Sequence, residues 1–156
     1  MKKFIFYSII IFNFISTIAT AASSNDIALL LIQKYSFGRN LTNISYQAAT
    51  QTQTYKIIVN KAGEKKAEST VKGEINKLLP SYQDQWNKNL AASYAQVMSA
   101  EKLQSLLDEG PSSKYADELK AKQGEIGTLM QSKSTGLLNE FITKAMDSAL
   151  KRTKAK

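Results

Sequence analysis

The chain has 156 residues, carries 21 lysine and arginine residues against 13 aspartate and glutamate residues, and contains neither histidine nor cysteine. It therefore cannot form, by itself, a Ser-His-Asp or Cys-His catalytic set, a zinc site with imidazole or thiolate ligands, or a disulfide bond. Its size fits one domain that is held together by an apolar core.

The first residues have the order of a secretory signal peptide. Two lysines follow Met1, a mostly apolar run extends from Phe4 to Ile18, and Ala19-Thr20-Ala21 has the small residues of a cleavage site. The apolar run is shorter than the ~20 residues that span a bilayer. We therefore expect cleavage near Ala21, a single domain over residues 22–156 without a transmembrane anchor, and a periplasmic or secreted location.

The next two segments are both predicted to be helical. Asp26 can cap a first helix that runs to Phe37 and stops at Gly38. The segment from Thr42 to Asn60 fits a helical face, but its second half, Thr50 to Val59, is rich in β-branched residues and also fits a strand. Helix is favoured because the sequence offers no second strand of similar quality to pair with it.

The first of the two prolines predicts a helix boundary. A short helix over residues 67–79 is expected to end before Pro80, because proline disfavours helical geometry in the residue that precedes it. Ser81 would then cap a longer helix, whose apolar face includes Trp86 and continues to Val97 at spacings of three and four residues.

The last third of the chain carries three further helical patterns. Ser99 predicts the start of a helix that Gly110-Pro111 closes. Ser112 or Ser113 would cap the next helix, and a final apolar face runs from Glu125 almost to the end despite three glycines. Together the patterns predict an all-α bundle of six or seven helices.

One part of the chain resembles a known family. The segment from Tyr94 to Leu107, the following Gly110-Pro111-Ser112 and the stretch from Lys122 to Ile126 resemble the exported bacterial family catalogued as domain of unknown function 2059. The resemblance covers Trp86 to Leu138, and it departs from the family where Asp108-Glu109 replaces a Phe-Tyr pair. It implies an exported helical domain, and it implies no catalytic or binding residues.

Two groups of side chains could form binding sites, although each also has a simpler structural explanation. Four aromatic residues could form a ligand groove, although core packing is the commoner use of such spacing: Tyr82, Trp86, Tyr94 and Tyr115. The acidic pairs Asp108-Glu109 and Asp117-Glu118 lack the alternating carboxylates and central glycine of a calcium loop. We therefore predict solvated helix ends there, and no metal or cofactor.

Most of the positive charge is expected to lie on exposed helix faces. Five acids precede a base by four residues, which is the favourable orientation on a helix: Glu68/Lys72, Asp84/Lys88, Glu118/Lys122, Glu140/Lys144 and Asp147/Lys151. This placement, together with export, argues against nucleic acid as a partner.

The end of the chain is the candidate interaction site. Its cations are expected to have only Asp147 nearby: Lys151, Arg152, Lys154 and Lys156. They could contact an acidic partner or an anionic surface, and they could equally complement the carboxyl end of a helix dipole. Because this tail has no apolar face, truncation after Leu150 is expected to leave the fold intact.

The function favoured by the sequence is binding to another exported or envelope protein, as an envelope accessory factor or an immunity-type protein. The alternative is a carrier for a lipid or apolar small molecule between helices. An enzyme that uses only Asp, Glu, Lys, Ser or Tyr ranks third.

Overall fold

The structure is a computed structural model that describes residues 22–154. Over these residues it has seven α-helices and no strand, which confirms the predicted all-α bundle. The helices are α1 (Ser24–Tyr35), α2 (Leu41–Thr50), α3 (Gln53–Ala62), α4 (Glu64–Val97), α5 (Ala100–Glu109), α6 (Ala116–Ala121) and α7 (Gln123–Lys154). Short 3₁₀ turns lie at Phe37–Asn40 and Gly110–Ser112. The predicted signal peptide lies outside the described residues.

The two longest helices, α4 and α7, form the centre of the bundle. Their contacts descend along α7 as they ascend along α4, from Glu74 with Arg152, through Tyr82 with Phe141, to Asn89 with Ser134. The two helices are therefore antiparallel. Helix α1 packs on α4 and α5, while α2 and α3 pack on both α4 and α7. None of the helices between Ser24 and Lys154 has the length and apolar content needed to cross a membrane.

The core is built from the apolar faces that the sequence spacing predicts. On α4 the buried side chains include Val71, Ile75, Tyr82, Trp86 and Leu90, at helical intervals. The Tyr82 ring stacks on the ring of Phe141 from α7, with 4.6 Å between centroids. Trp86 is buried as predicted, with 4 % of its surface exposed.

The predicted helix boundary at Pro80 is wrong. Helix α4 continues from Glu64 to Val97 with Pro80 inside it, and Ser81 caps nothing. Proline has no N–H to donate to the carbonyl of Asn76, so one backbone hydrogen bond is missing. Pro80 is exposed, while Ile75 and Tyr82 on either side of it are buried in the core. Packing of both halves against one partner helix outweighs the local preference for a break.

Two other helix starts differ from their predicted positions. Helix α1 is capped by Ser23, and Asp26 completes a capping box from inside the first turn. Neither Ser112 nor Ser113 caps α6, which begins after Tyr115 without a side-chain cap. The Ser113 hydroxyl instead accepts a hydrogen bond from the Tyr115 N–H in the turn before it.

Other boundaries are closer to prediction. The segment from Thr42 to Asn60 is helical, but it is divided into α2 and α3, and Thr52 caps the second. Ser99 caps α5, and Gly110 ends it with a positive φ of 60°. Helix α1 ends before Gly38, which serves packing instead, because a Cβ there would clash with the Asn87 amide oxygen of α4.

We predict that Pro80→Ala stabilises the protein. Alanine restores the missing backbone hydrogen bond, while the unfolded chain gains some freedom, so the free energy of unfolding should rise by about 1 to 2 kcal/mol. Urea unfolding curves measure this change. The neighbouring exposed residue provides the control, since Ser81→Ala should change stability by less than about 0.5 kcal/mol. An unchanged or lower stability for Pro80→Ala would contradict this account of α4.

Candidate ligand-binding site

The cations of the predicted interaction site lie in the last turn of α7, except for Lys156, which is outside the described residues. One of them is already paired. Arg152 Nη1 donates to Glu74 Oε1 of α4 at 2.6 Å, and the Glu74 side chain is only 4 % exposed. The expectation that only Asp147 lies near these cations is therefore wrong. Truncation after Leu150 would leave the Glu74 carboxylate buried without its partner, so it should destabilise the fold.

Arg152 also borders a basic cleft that the sequence did not indicate. The cleft has a volume of about 580 Å³ and is lined by Lys61, Lys66 and Arg152, together with hydroxyl-bearing Thr70 and Thr153. Its walls come from α3, α4 and α7. The two lysines are far from the chain end in sequence, so only the packing of the three helices brings them beside Arg152.

The predicted helical ion pairs are partly formed. Lysine Nζ lies 2.6 Å from the acid four residues earlier in three pairs: Glu68/Lys72, Asp84/Lys88 and Glu140/Lys144. Glu118 instead pairs with Lys102 of α5, and Lys122 pairs with Glu125. Most of these cations lie on exposed faces, as expected.

A larger groove lies between α4 and α7, and its walls are mostly apolar. It has a volume of about 610 Å³, within the ~300–1,000 Å³ range of small-molecule sites. Its apolar lining includes Ile44, Trp86, Leu90, Ile126, Met130 and Leu138. Polar uncharged residues complete it: Asn40, Gln123, Gln131, Ser134 and Thr135. Within residues 22–154, no charged side chain lines this groove.

Hydrogen bonds within the walls occupy several of the polar groups. The Trp86 indole Nε1 donates to Asn40 Oδ1 at 3.1 Å, which fixes the plane of the ring. Ser134 Oγ accepts from Asn89 Nδ2 at 3.0 Å and donates to Met130 Sδ at 3.4 Å. With these groups satisfied inside the protein, the surface offered to a ligand is predominantly apolar.

Tyr94 has the one ionisable side chain among the described residues that line the groove, and it stays neutral. Burial raises the pKa of the Tyr94 hydroxyl above its ordinary value of 10.0, and this effect exceeds the lowering by its hydrogen bond with Gln123. Tyr94 is therefore protonated at neutral pH. The groove presents no formal charge to whatever enters it.

Gly127 leaves part of the α7 wall open. It lines the groove, and apart from its chain neighbours and the adjoining backbone of its own helix, no described atom lies within 4 Å of the position that a Cβ would take. Glycine inside a helix usually weakens or bends it. At Gly127 the absence of a side chain instead leaves open space in the α7 wall of the groove.

The aromatic residues for which the sequence suggested either core packing or a ligand groove contribute to both. Tyr82, Trp86 and Tyr94 are core residues, as predicted, and Trp86 and Tyr94 also form one wall of the groove. Tyr115 is half-buried and donates to Glu101 Oε1 at 2.9 Å. Sequence spacing missed Phe37, which lines the groove from a 3₁₀ turn that has no helical periodicity.

Three of the four carboxylates considered for a cation accept hydrogen bonds from neighbouring side chains. Asp108 accepts from Gln104, Glu109 accepts from Ser105, and Glu118 accepts from Lys102. In the part of the chain that the structure covers, no group of three or more acidic residues is arranged to hold a metal ion.

Comparisons with known protein families, with characterised proteins and with solved structures found no match to this chain. The resemblance to domain of unknown function 2059 therefore stays a prediction.

We predict that Arg152→Ala lowers the free energy of unfolding by about 2 to 4 kcal/mol, because it leaves a buried carboxylate unpaired. Thermal and urea unfolding measure the loss. Adding Glu74→Gln should recover most of it, since the amide carries no charge. Lys151→Ala and Lys154→Ala are the matched controls from the same turn and should change stability by less than about 0.5 kcal/mol. Equal losses for all three cations would show that the Glu74 pair has no special role.

Proposed function

We propose that this protein is an exported binding protein that holds an uncharged, apolar small molecule in the groove between α4 and α7. The observation that carries the proposal is the uncharged lining of this groove in a chain with a net charge of +8. Burial of a charged group in such a site would cost free energy without a partner, whereas an apolar group gains by leaving water. The lining therefore favours neutral ligands.

The groove also has the anchored walls that selective binding requires. The Asn40 amide holds the indole of Trp86, and the Asn89 amide holds Ser134 on the opposite helix. Preformed walls lower the entropy that the protein itself must lose when it binds a ligand. The signal-like residues 1–21 support a role outside the cytoplasm. If they are removed on export, amino-terminal sequencing should find a first residue at Ala22 or Ser23.

Trp86 provides a direct readout, because it is the only tryptophan of the chain and it lines the groove. A chain that begins at Ala22 contains every described helix. The neutral dye N-phenyl-1-naphthylamine is a suitable probe, since it accepts energy from tryptophan and brightens in apolar surroundings. Binding should quench Trp86 and raise the dye emission together.

We predict that Gly127→Leu blocks the groove and weakens binding of this dye by about tenfold or more, because the new side chain fills open space in the α7 wall of the groove. Gly136→Leu is the matched control. It lies nine residues further along α7, about half a turn round the helix, and an added Cβ there also meets open space. Both variants gain helix propensity, so neither should lose stability.

The two variants separate groove binding from a general effect on α7. Equal affinity in Gly127→Leu and the unchanged protein would contradict binding in the groove, as would equal weakening by Gly136→Leu. Failure of the unchanged protein to bind the dye would count against the proposal as a whole.

Binding to another protein is the second candidate, and the basic cleft is the observation that favours it. Lys61, Lys66 and Arg152 converge from three helices, and Lys151 and Lys154 extend the positive surface along the end of α7. Such a surface attracts acidic partners and speeds their encounter. An exported or envelope protein with an acidic face is the partner this surface would suit.

We predict that the double change Lys61→Gln and Lys66→Gln slows association with polyglutamate, used here as an acidic polypeptide probe. The salt dependence of the rate should also flatten, because charges are screened over about 8 Å at physiological ionic strength. Stopped-flow measurements across a salt series test this. Lys133→Gln, on an exposed part of α7 outside the cleft, is the control. Identical salt slopes for all three proteins would remove the cleft as an interaction site.

A further inference from the structure

A second apolar pocket lies directly beside the groove. It has a volume of about 220 Å³, and its walls include Leu31, Leu106 and Ala116. Phe37 and Leu119 line both this pocket and the groove, so these two side chains form the partition between them. In the described part of the chain, no charged residue lines the smaller pocket either.

The ring of Phe37 is the exposed half of this partition. It stacks between Tyr35, which lines the small pocket, and Tyr94, which lines the groove, with centroids 5.7 Å and 6.2 Å away. Phe37 keeps 39 % of its surface exposed. One side of the Phe37 ring is open to solvent, so the ring can rotate in that direction.

The backbone that carries Phe37 is held more firmly than its side chain. Ser36, before it, adopts a left-handed conformation with a φ of 57°. Gly38, after it, is buried against α4, and its carbonyl accepts from Gln83 Nε2 at 2.9 Å. The turn is therefore fixed at both sides of Phe37. Opening of the partition at Phe37 therefore requires rotation of the ring about its side-chain bonds, away from its two stacking partners.

We propose that the ligand is a neutral molecule with a straight aliphatic chain, and that Phe37 determines how long a chain the site accepts. This inference rests on the proposed function of the groove. Rotation of the Phe37 ring joins the groove to the small pocket in one narrow, uncharged path. A flexible chain can follow such a path past Leu119, whereas a compact molecule of equal carbon number fills the groove alone.

Straight-chain primary alcohols of about six to about fourteen carbon atoms are the probes, with Trp86 emission as the readout. Affinity should rise by about fourfold for each methylene that is buried. In the unchanged protein the rise should weaken at the length where the chain end meets Phe37. 1-Decanol should bind more tightly than 1-adamantanol, which has the same number of carbons in a compact cage.

Two variants test the partition from opposite sides. Phe37→Ala should strengthen binding of the longest alcohols by about tenfold and of the shortest by less than about twofold, because only long chains cross the partition. Ala116→Leu fills the small pocket and should remove the advantage of long chains while short alcohols still bind. Ile57→Ala is the control, since Ile57 is a similarly exposed apolar residue, at 37 %, and lines neither cavity.

The results distinguish failure of this inference from failure of the proposed function. If alcohols bind and Phe37→Ala shifts all lengths equally, the groove stands and the role of Phe37 is overturned. Equal binding of 1-decanol and 1-adamantanol would overturn the straight-chain class. If no alcohol of any length changes Trp86 emission, the proposed function fails along with the inference.

Discussion

The antiparallel contact between α4 and α7 is the constraint on which the rest of the structure depends. The two helices meet at three separate levels, through the Glu74–Arg152 ion pair, the stack of Tyr82 on Phe141, and the Asn89 amide on Ser134. These levels span about 22 Å of helix axis. A shift of one residue would turn each partner by about 100° away from its contact. The pairing therefore fixes the register of both helices, and the shorter helices pack onto the surface that this pair provides.

The groove is the space that the packing of α4 against α7 leaves unfilled. The lining of α7 includes small residues, Gly127 and Ser134, while that of α4 includes large ones, Trp86 and Leu90. Helix α2 and the turn at Phe37–Asn40 close the edges of this region without filling its centre. One set of aromatic residues therefore contributes to the core on one side and to a cavity wall on the other. Core packing and ligand contact are compatible roles here, because a buried ring can have both of its faces in use.

The basic cleft and the apolar groove lie at different positions along the length of the bundle. The basic cleft reaches Thr70 on α4, while the groove begins at Trp86, about 24 Å further along the same helix. This separation exceeds the screening length of about 8 Å at physiological ionic strength, so the cations have little influence on the groove. The two candidate binding surfaces are physically independent. A ligand in the groove and an acidic partner at the cleft would not compete for the same atoms.

The sequence by itself determined the helical class, the apolar faces, the burial of Trp86 and the Ser99 cap, because these depend on residues within a few positions of one another. Both helix and strand fit the sequence from Thr50 to Val59. At Pro80 the local preference of proline predicts a helix boundary. Tertiary packing decided both, since burial of Ile58 in the core and of residues on both sides of Pro80 outweighs local propensity. The Glu74–Arg152 pair joins residues 78 positions apart, and the groove joins residues of several helices. Such contacts depend on which helix faces meet, and that is set by apolar burial summed over the whole bundle, which no local pattern records.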